Sequence, residues 1–181
     1  MSNQYVVKKN ANCTAIFAGL ARRSMIFALG ALLVLPAIHA APALAADAPN
    51  VKEAMQTLKD ATAKLGKPKL DGEVLVFGTT KVNGDYTVVD AVKAKHGGTA
   101  TLFAKKGANF VRVSTNVVKD GQRAVGTILD PAGPAAAAIK QANTFYGLVD
   151  ILGKIYDTGY EPIKSEAGEV IGIYYVGYLM E

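Results

Sequence analysis

A chain of 181 residues with a formal net charge of +5 allows one domain of ordinary size. The charge is uneven: Lys8, Lys9, Arg22 and Arg23 precede any acidic residue, leaving 16 basic against 15 acidic residues from Asp47 onward. A balance near +1 over that stretch gives no electrostatic footprint for nucleic acid or an anionic membrane, and a single cysteine, Cys13, excludes a disulfide, a thiol nucleophile or a thiolate metal site beyond it.

Residues 1–46 read as an export signal. Four basic residues lead into an uncharged run whose apolar centre is Met25 to Ile38, and Ala43-Leu44-Ala45 gives the small-x-small pattern of a cleavage site. The apolar core is short for a membrane anchor and Pro36 interrupts it, so cleavage near Ala45 and a periplasmic protein are expected. Arg22-Arg23-Ser24-Met25-Ile26 leaves twin-arginine export open beside the Sec route.

Residues 47–181 are expected to form one domain. Asn50 and Glu53 have capping-box spacing, and Val51, Ala54, Met55, Leu58, Ala61, Thr62 and Leu65 recur at helical steps. Gly66 and Pro68 end this helix. A helix of about 15 residues is marginal alone. Its stripe packs on the domain's own sheet or forms a weak homodimer through helix 50–65, and both readings stay open here.

Strands are predicted over 73–79, 99–105 and 109–118, with a strand or extended loop over 123–129, and short helices over 87–95 and 134–142. A three-strand antiparallel meander follows, over 145–151, 154–163 and 169–178, broken by Gly153 and by Lys164-Ser165-Glu166-Ala167-Gly168. Pro162 has no N–H to give a ladder, so the middle strand must end or reach an edge there. In the last strand Val170, Gly172, Tyr174 and Val176 alternate with Ile171, Ile173, Tyr175 and Gly177. Both sets are apolar or aromatic, so that strand should be central and covered on both faces. The fold class is α+β with an antiparallel sheet.

Little catalytic chemistry is on offer. His96 is the only histidine after residue 46 and lies beside Gly97-Gly98, where a solvated turn is expected. No phosphate loop, dinucleotide fingerprint or haem-attachment pair is present. Asp150 with Asp157, or Glu161 with Glu166, has no feature that places the pair in one cleft. No enzyme, cofactor or metal is expected. Binding has more support. Arg112 and Arg123 are the only arginines beyond residue 46, and Arg112 sits in an apolar strand beside Phe110, Val111 and Val113, on the alternating face of Phe110 and Ser114. A cation there must meet an anion: a structural partner such as Asp130 or Asp150, or the carboxylate of a ligand. Tyr156 and Tyr160 share a face of the middle meander strand, as packing or as pocket lining.

Several runs in order carry a resemblance: Asp90-Ala91-Val92, Gly97 to Phe103, Phe110 to Asn116, Asp120 to Thr127, Tyr146-Gly147, Gly153-Lys154-Ile155-Tyr156, Gly159 to Ile163 and Gly168 to Gly172. Over residues 73–178 the chain resembles the Cache sensor family, of the single-Cache type described as a Cache 3/Cache 2 fusion, found as the sensing part of methyl-accepting chemotaxis receptors. The resemblance implies a long N-terminal helix on a PAS-like sheet and a small ligand on that sheet, with Arg112, Ser114, Tyr146, Lys154 and Tyr156 near it. It also implies a helix used for pairing, and signal transduction through a membrane receptor or kinase partner. Receptors of this family continue into a membrane helix, whereas here the chain ends at Glu181, so no output module of its own is expected. Two functions follow: a soluble periplasmic binding domain for an organic acid or amino acid, or an interaction module whose pocket is filled by side chains. Arg112 paired with Asp130 or Asp150, with no void beside it, would favour the second.

Overall fold

The computed structural model describes residues 49–180. The expected export signal over residues 1–46, with cleavage near Ala45, lies outside the described residues. The first element is α1 (Pro49–Ala63). Val51, Ala54, Met55, Leu58 and Thr62 of its stripe are at most 2% exposed. That stripe is spent on the chain's own sheet and on the next helix, the first of the two packings the sequence left open, and Met55 and Leu58 are buried within the chain. Burying a side chain the size of Leu58 contributes about 2 kcal/mol, enough to hold a helix that propensity alone would not.

Beyond α1 come β1 (Pro68–Asp71), β2 (Val74–Phe77) and β3 (Thr80–Lys81), a small antiparallel sheet in that order. The sequence predicts a single strand here, over 73–79, with Gly66 and Pro68 as the stop of the helix before it. Pro68 in fact opens β1 opposite Phe77. The approach is close, since a Cβ on Gly66 would stand 2.7 Å from Gly78 Cα, and only glycine fits.

Helix α2 (Thr87–His96) starts where Asp85 Oδ1 accepts from the Thr87 backbone N–H at 2.9 Å and from its hydroxyl at 2.7 Å. Lys93, Lys95 and His96 fill its last turn, where cations suit the helix dipole. His96 departs from the expected solvated turn: its side chain is 8% exposed and its Nε2 hydrogen-bonds Thr57 Oγ1 at 2.8 Å, joining α2 to α1.

The main sheet holds β4 (Thr99–Lys106), β5 (Asn109–Thr115), β8 (Phe145–Ile151), β9 (Lys154–Lys164) and β10 (Val170–Leu179). Its order is β5-β4-β10-β9-β8, antiparallel throughout, with β10 in the middle as its two apolar faces require. A two-stranded ribbon, β6 (Val118–Lys119) and β7 (Gln122–Arg123), and α3 (Pro134–Lys140) lie between β5 and β8 in sequence. One sheet face buries Leu102, Ala104 and Val176 against α1, α2 and β2. The other buries Phe103, Ile173, Tyr160 and Tyr175 against α3 and the segment before it. The last residue of β9 with a β8 partner is Tyr160, so at Pro162 one flank of β9 is open, as its missing N–H demands.

Two bulges reset the alternation read from the sequence. Arg112 pairs with Phe103 and Ser114 with Leu102, leaving Val113 extra on β5. Val170 pairs with Lys164 and Gly172 with Ile163, leaving Ile171 extra on β10. Past each extra residue the side chains change face. Ile171 therefore packs with Val176 on the α1 side, while Val170 packs on the α3 side, the reverse of the simple alternation. No helix among the described residues is long and apolar enough to cross a membrane.

Candidate functional site

Arg112 is the unusual group of the α3-side core. Its backbone is held on both flanks: β4 pairs one edge of β5, and residues 126–129 run along the other. There the Arg112 N–H donates to Thr127 O at 2.9 Å and Gly126 N–H donates to Arg112 O at 2.9 Å. Its side chain is 4% exposed and lies over the Phe103 ring, 5.0 Å from the centroid. Nη1 donates to Thr127 Oγ1 at 2.7 Å, and the Thr127 hydroxyl in turn donates a hydrogen bond to Ala124 O at 2.8 Å. Nε has no partner, and among the described residues Nη2 has none either. Nε and Nη2 form one edge of the guanidinium, the edge that takes a carboxylate through two parallel hydrogen bonds.

Arg112 also lines a cavity of about 140 Å³, together with Leu129, Asp130, Asp150, Ile151 and Tyr160, among others. Neither aspartate forms an ion pair with Arg112. Asp130 Oδ1 accepts from Ala132 N–H at 3.0 Å and Asp150 Oδ1 from Gly153 N–H at 2.8 Å, so each braces a turn. The structural partner considered from the sequence is therefore not made, and the void is present. Burial pulls the Arg112 guanidinium below its ordinary value without making it neutral near pH 7, since arginine starts so high. Burial also pushes the Tyr160 hydroxyl up to about 12, opposed by the charge of Arg112. Tyr160 is thus a neutral hydroxyl at physiological pH, and among the described residues it has no hydrogen-bond partner. Its ring meets that of Tyr175 with centroids 4.9 Å apart and the planes tilted by 50°.

The five residues singled out from the resemblance do not form one cluster. Arg112 and Tyr156 share the α3-side face, Tyr156 half-buried at the edge of that core. The bulge at Val113 turns Ser114 to the other face, where its hydroxyl donates to Asp85 O at 2.5 Å. Tyr146 is also on the α1 side: its ring packs on Gly159 and its hydroxyl donates to Glu161 Oε1 at 2.6 Å. Glu161 Oε2 in turn accepts from Lys59 of α1 at 2.8 Å. Lys154 is exposed at the β8–β9 hairpin. Thr127 and Tyr160 are not among the site residues expected from the sequence, although the sequence leaves Tyr160 open to either packing or pocket lining. The Tyr156-x-x-x-Tyr160 spacing on one strand face was the available signal for Tyr160, and nothing in the sequence marked Thr127. Arg123, expected to brace a loop, grips Asp90 of α2 with both terminal nitrogens at 2.8 Å and covers the Tyr86 ring. Among the described residues no group of three or more histidine, cysteine, aspartate or glutamate side chains is placed to hold a metal ion.

Among solved structures the chain is similar to the sensor domain of DcuS from E. coli, with 14% identity over 73% of this chain and 77% of that one, at a TM-score of 0.42. It is also similar to an A. aeolicus nlh2 GAF domain in an inactive state, with 12% identity over 74% and 79% and a TM-score of 0.41. A third is the ligand-binding domain of the Campylobacter jejuni chemoreceptor Tlp3, in complex with L-valine, with 11% identity over 72% and 57% and a TM-score of 0.41. No curated protein matches the chain. A family model described as the Cache 3/Cache 2 fusion domain matches residues 40–181. The chain belongs to that Cache family.

Proposed function

We propose that this domain binds a small carboxylate-bearing molecule, an organic acid or an amino acid, in the cavity beside Arg112, and that it works outside the cytoplasm as a sensor-like binding module with no catalytic step. The observation that carries this is a nearly buried guanidinium with an unpartnered Nε, in a residue that lines a cavity and that forms no ion pair with a carboxylate among the described residues. A buried cation left this way costs stability unless something meets it. A ligand carboxylate on the Nε–Nη2 edge, with the Tyr160 hydroxyl as a further partner, supplies what is missing. The alternative interaction module needed a filled pocket and a paired Arg112, and the geometry favours neither. A membrane receptor or kinase that reads the liganded state remains part of the proposal through family membership alone.

The test is thermal unfolding of the purified protein against a panel of small carboxylates and amino acids, with an Arg112→Met protein beside it. A ligand at 100 times its Kd stabilises by about 2.7 kcal/mol, which the wild-type protein should show and the variant should lose. A panel that moves neither protein at millimolar concentration would refute the reading.

A further inference from the structure

The main sheet treats its two edges differently. On one side β5 is covered by residues 126–129, whose Gly126, Thr127 and Leu129 bond to its backbone. On the other side β8 has β9 on its inner flank and, among the described residues, no strand on its outer flank. The direction of its backbone groups follows from its neighbours. Met180 N–H donates to Ile155 O at 2.9 Å, so the Ile155 backbone points toward β10. Its partner on β8, Asp150, therefore turns its own N–H and C=O away from β9, and two residues back Leu148 does the same. An open edge is normally blunted by proline, lysine or a bulge. Phe145–Ile151 contains no proline and no lysine, and its pairing with β9 runs without a break in register. Leu148 is 61% exposed, and Ile155 and Met180, on the same sheet face, are exposed as well.

We propose that β8 is an interface for a second copy of this chain, pairing antiparallel with the partner's β8 about a two-fold axis at Leu148 and joining two sheets into one. A ladder needs outward-facing groups at matching positions, and a strand paired with itself supplies them by symmetry. Charge selects the axis. Centred on Asp150, the pairing would set two carboxylates directly opposite one another, which destabilises a ladder. Centred on Leu148, it sets leucine against leucine and Asp150 against the partner's Tyr146. Lys52 lies over the Tyr146 ring, 5.7 Å from its centroid, so each Asp150 comes toward a cation. The contact is independent of what the cavity holds, and it leaves the stripe of α1 buried where it is.

Sedimentation velocity of the purified protein over a concentration series, with no ligand added, tests this beside three variants. The wild type should pass from monomer to dimer as concentration rises. Leu148→Lys sets like charges at the axis, and Leu148→Pro removes an outward N–H without taking a bond from β9. Each should weaken the dimer at least tenfold. Val118→Lys, at an exposed site outside the main sheet, should leave it unchanged. Unfolding temperatures measured on dilute samples show whether each variant folds, and if one Leu148 variant does not, the other decides. A wild type that stays monomeric to millimolar concentration would overturn the proposal. So would a dimer untouched by both Leu148 variants, which must form elsewhere. A dimer lost with lysine but kept with proline would rest on side-chain contact, and strand pairing would be wrong.

Discussion

In an Arg112→Met protein the stability change is set by what the guanidinium gives and what it costs. Its gains are one charged hydrogen bond to Thr127, about 1.5–3 kcal/mol, and a ring contact with Phe103, about 1 kcal/mol. Against them stand the desolvation of a buried charge, several kcal/mol, and an unpartnered Nε, about 1–3 kcal/mol. Methionine fills much of the same space with a flexible apolar chain, and Thr127 keeps its own bond to Ala124. The net expectation without ligand is a variant about 1 kcal/mol more stable than the wild type, a rise in Tm of about 3–5 °C for a domain of this size. Urea and thermal unfolding of both proteins, dialysed free of small acids, measure it. A loss of more than about 2 kcal/mol would show that Arg112 is a structural tie for residues 126–129, and the binding account would lose its main support.

Three further outcomes follow from the packing. Tyr160 has its hydroxyl pushed from 10.0 up to about 12 by burial, so between these values the folded state keeps a proton that the unfolded state has lost. Stability is therefore full below pH 10 and falls as pH rises toward 12, by up to about 2.7 kcal/mol from this residue. Tyr160→Phe should flatten the decline measured by urea midpoints across pH 9 to 11.5, and an unchanged slope would contradict its burial. Leu58→Ala should cost about 2–5 kcal/mol with no concentration dependence, since Leu58 is fully buried within one chain. A destabilisation that disappears at high protein concentration would instead place α1 at an interface between copies. Gly172→Ala brings a Cβ to 2.4 Å from the Phe103 carbonyl oxygen and should cost about 3 kcal/mol by forcing β10 from β4. A Tm within one degree of wild type would mean that the register there is different.

The meander was legible because short polar breaks at Gly153 and at residues 164–168 separate runs of strand formers, and such close strands have no other way to pair. The stripe of α1 was legible for the same local reason, but not what it packs on. Side assignment failed where the chain leaves strict alternation: one extra residue at Val113 sends Ser114 to the α1 side, and one at Ile171 does the same on β10. Tyr146 failed for another reason. Its face depends on the β8–β9 register, which sets Val149, not Tyr146, against Tyr156, and register is a property of two strands together. His96 looked solvated beside two glycines, yet α2 runs one residue further than expected and turns it onto Thr57. Arg112 was found because a guanidinium in an apolar strand demands a partner whatever the fold. The sequence did not say whether Asp130 or Asp150 would supply one, since that is decided by the turns those residues brace.

The account turns on the free edge of Arg112, and its Nε–H is an individual proton that nuclear magnetic resonance can follow. Titrating alanine or another small carboxylate into nitrogen-15-labelled protein should move the Arg112 Nε–H resonance downfield and slow its exchange with water, as a new hydrogen bond to a carboxylate requires. Arg123, already held by Asp90, should stay in place as an internal control. If a carboxylate that binds by calorimetry shifts other amides and leaves the Arg112 Nε–H unchanged, the ligand lies elsewhere and the site assigned here is wrong.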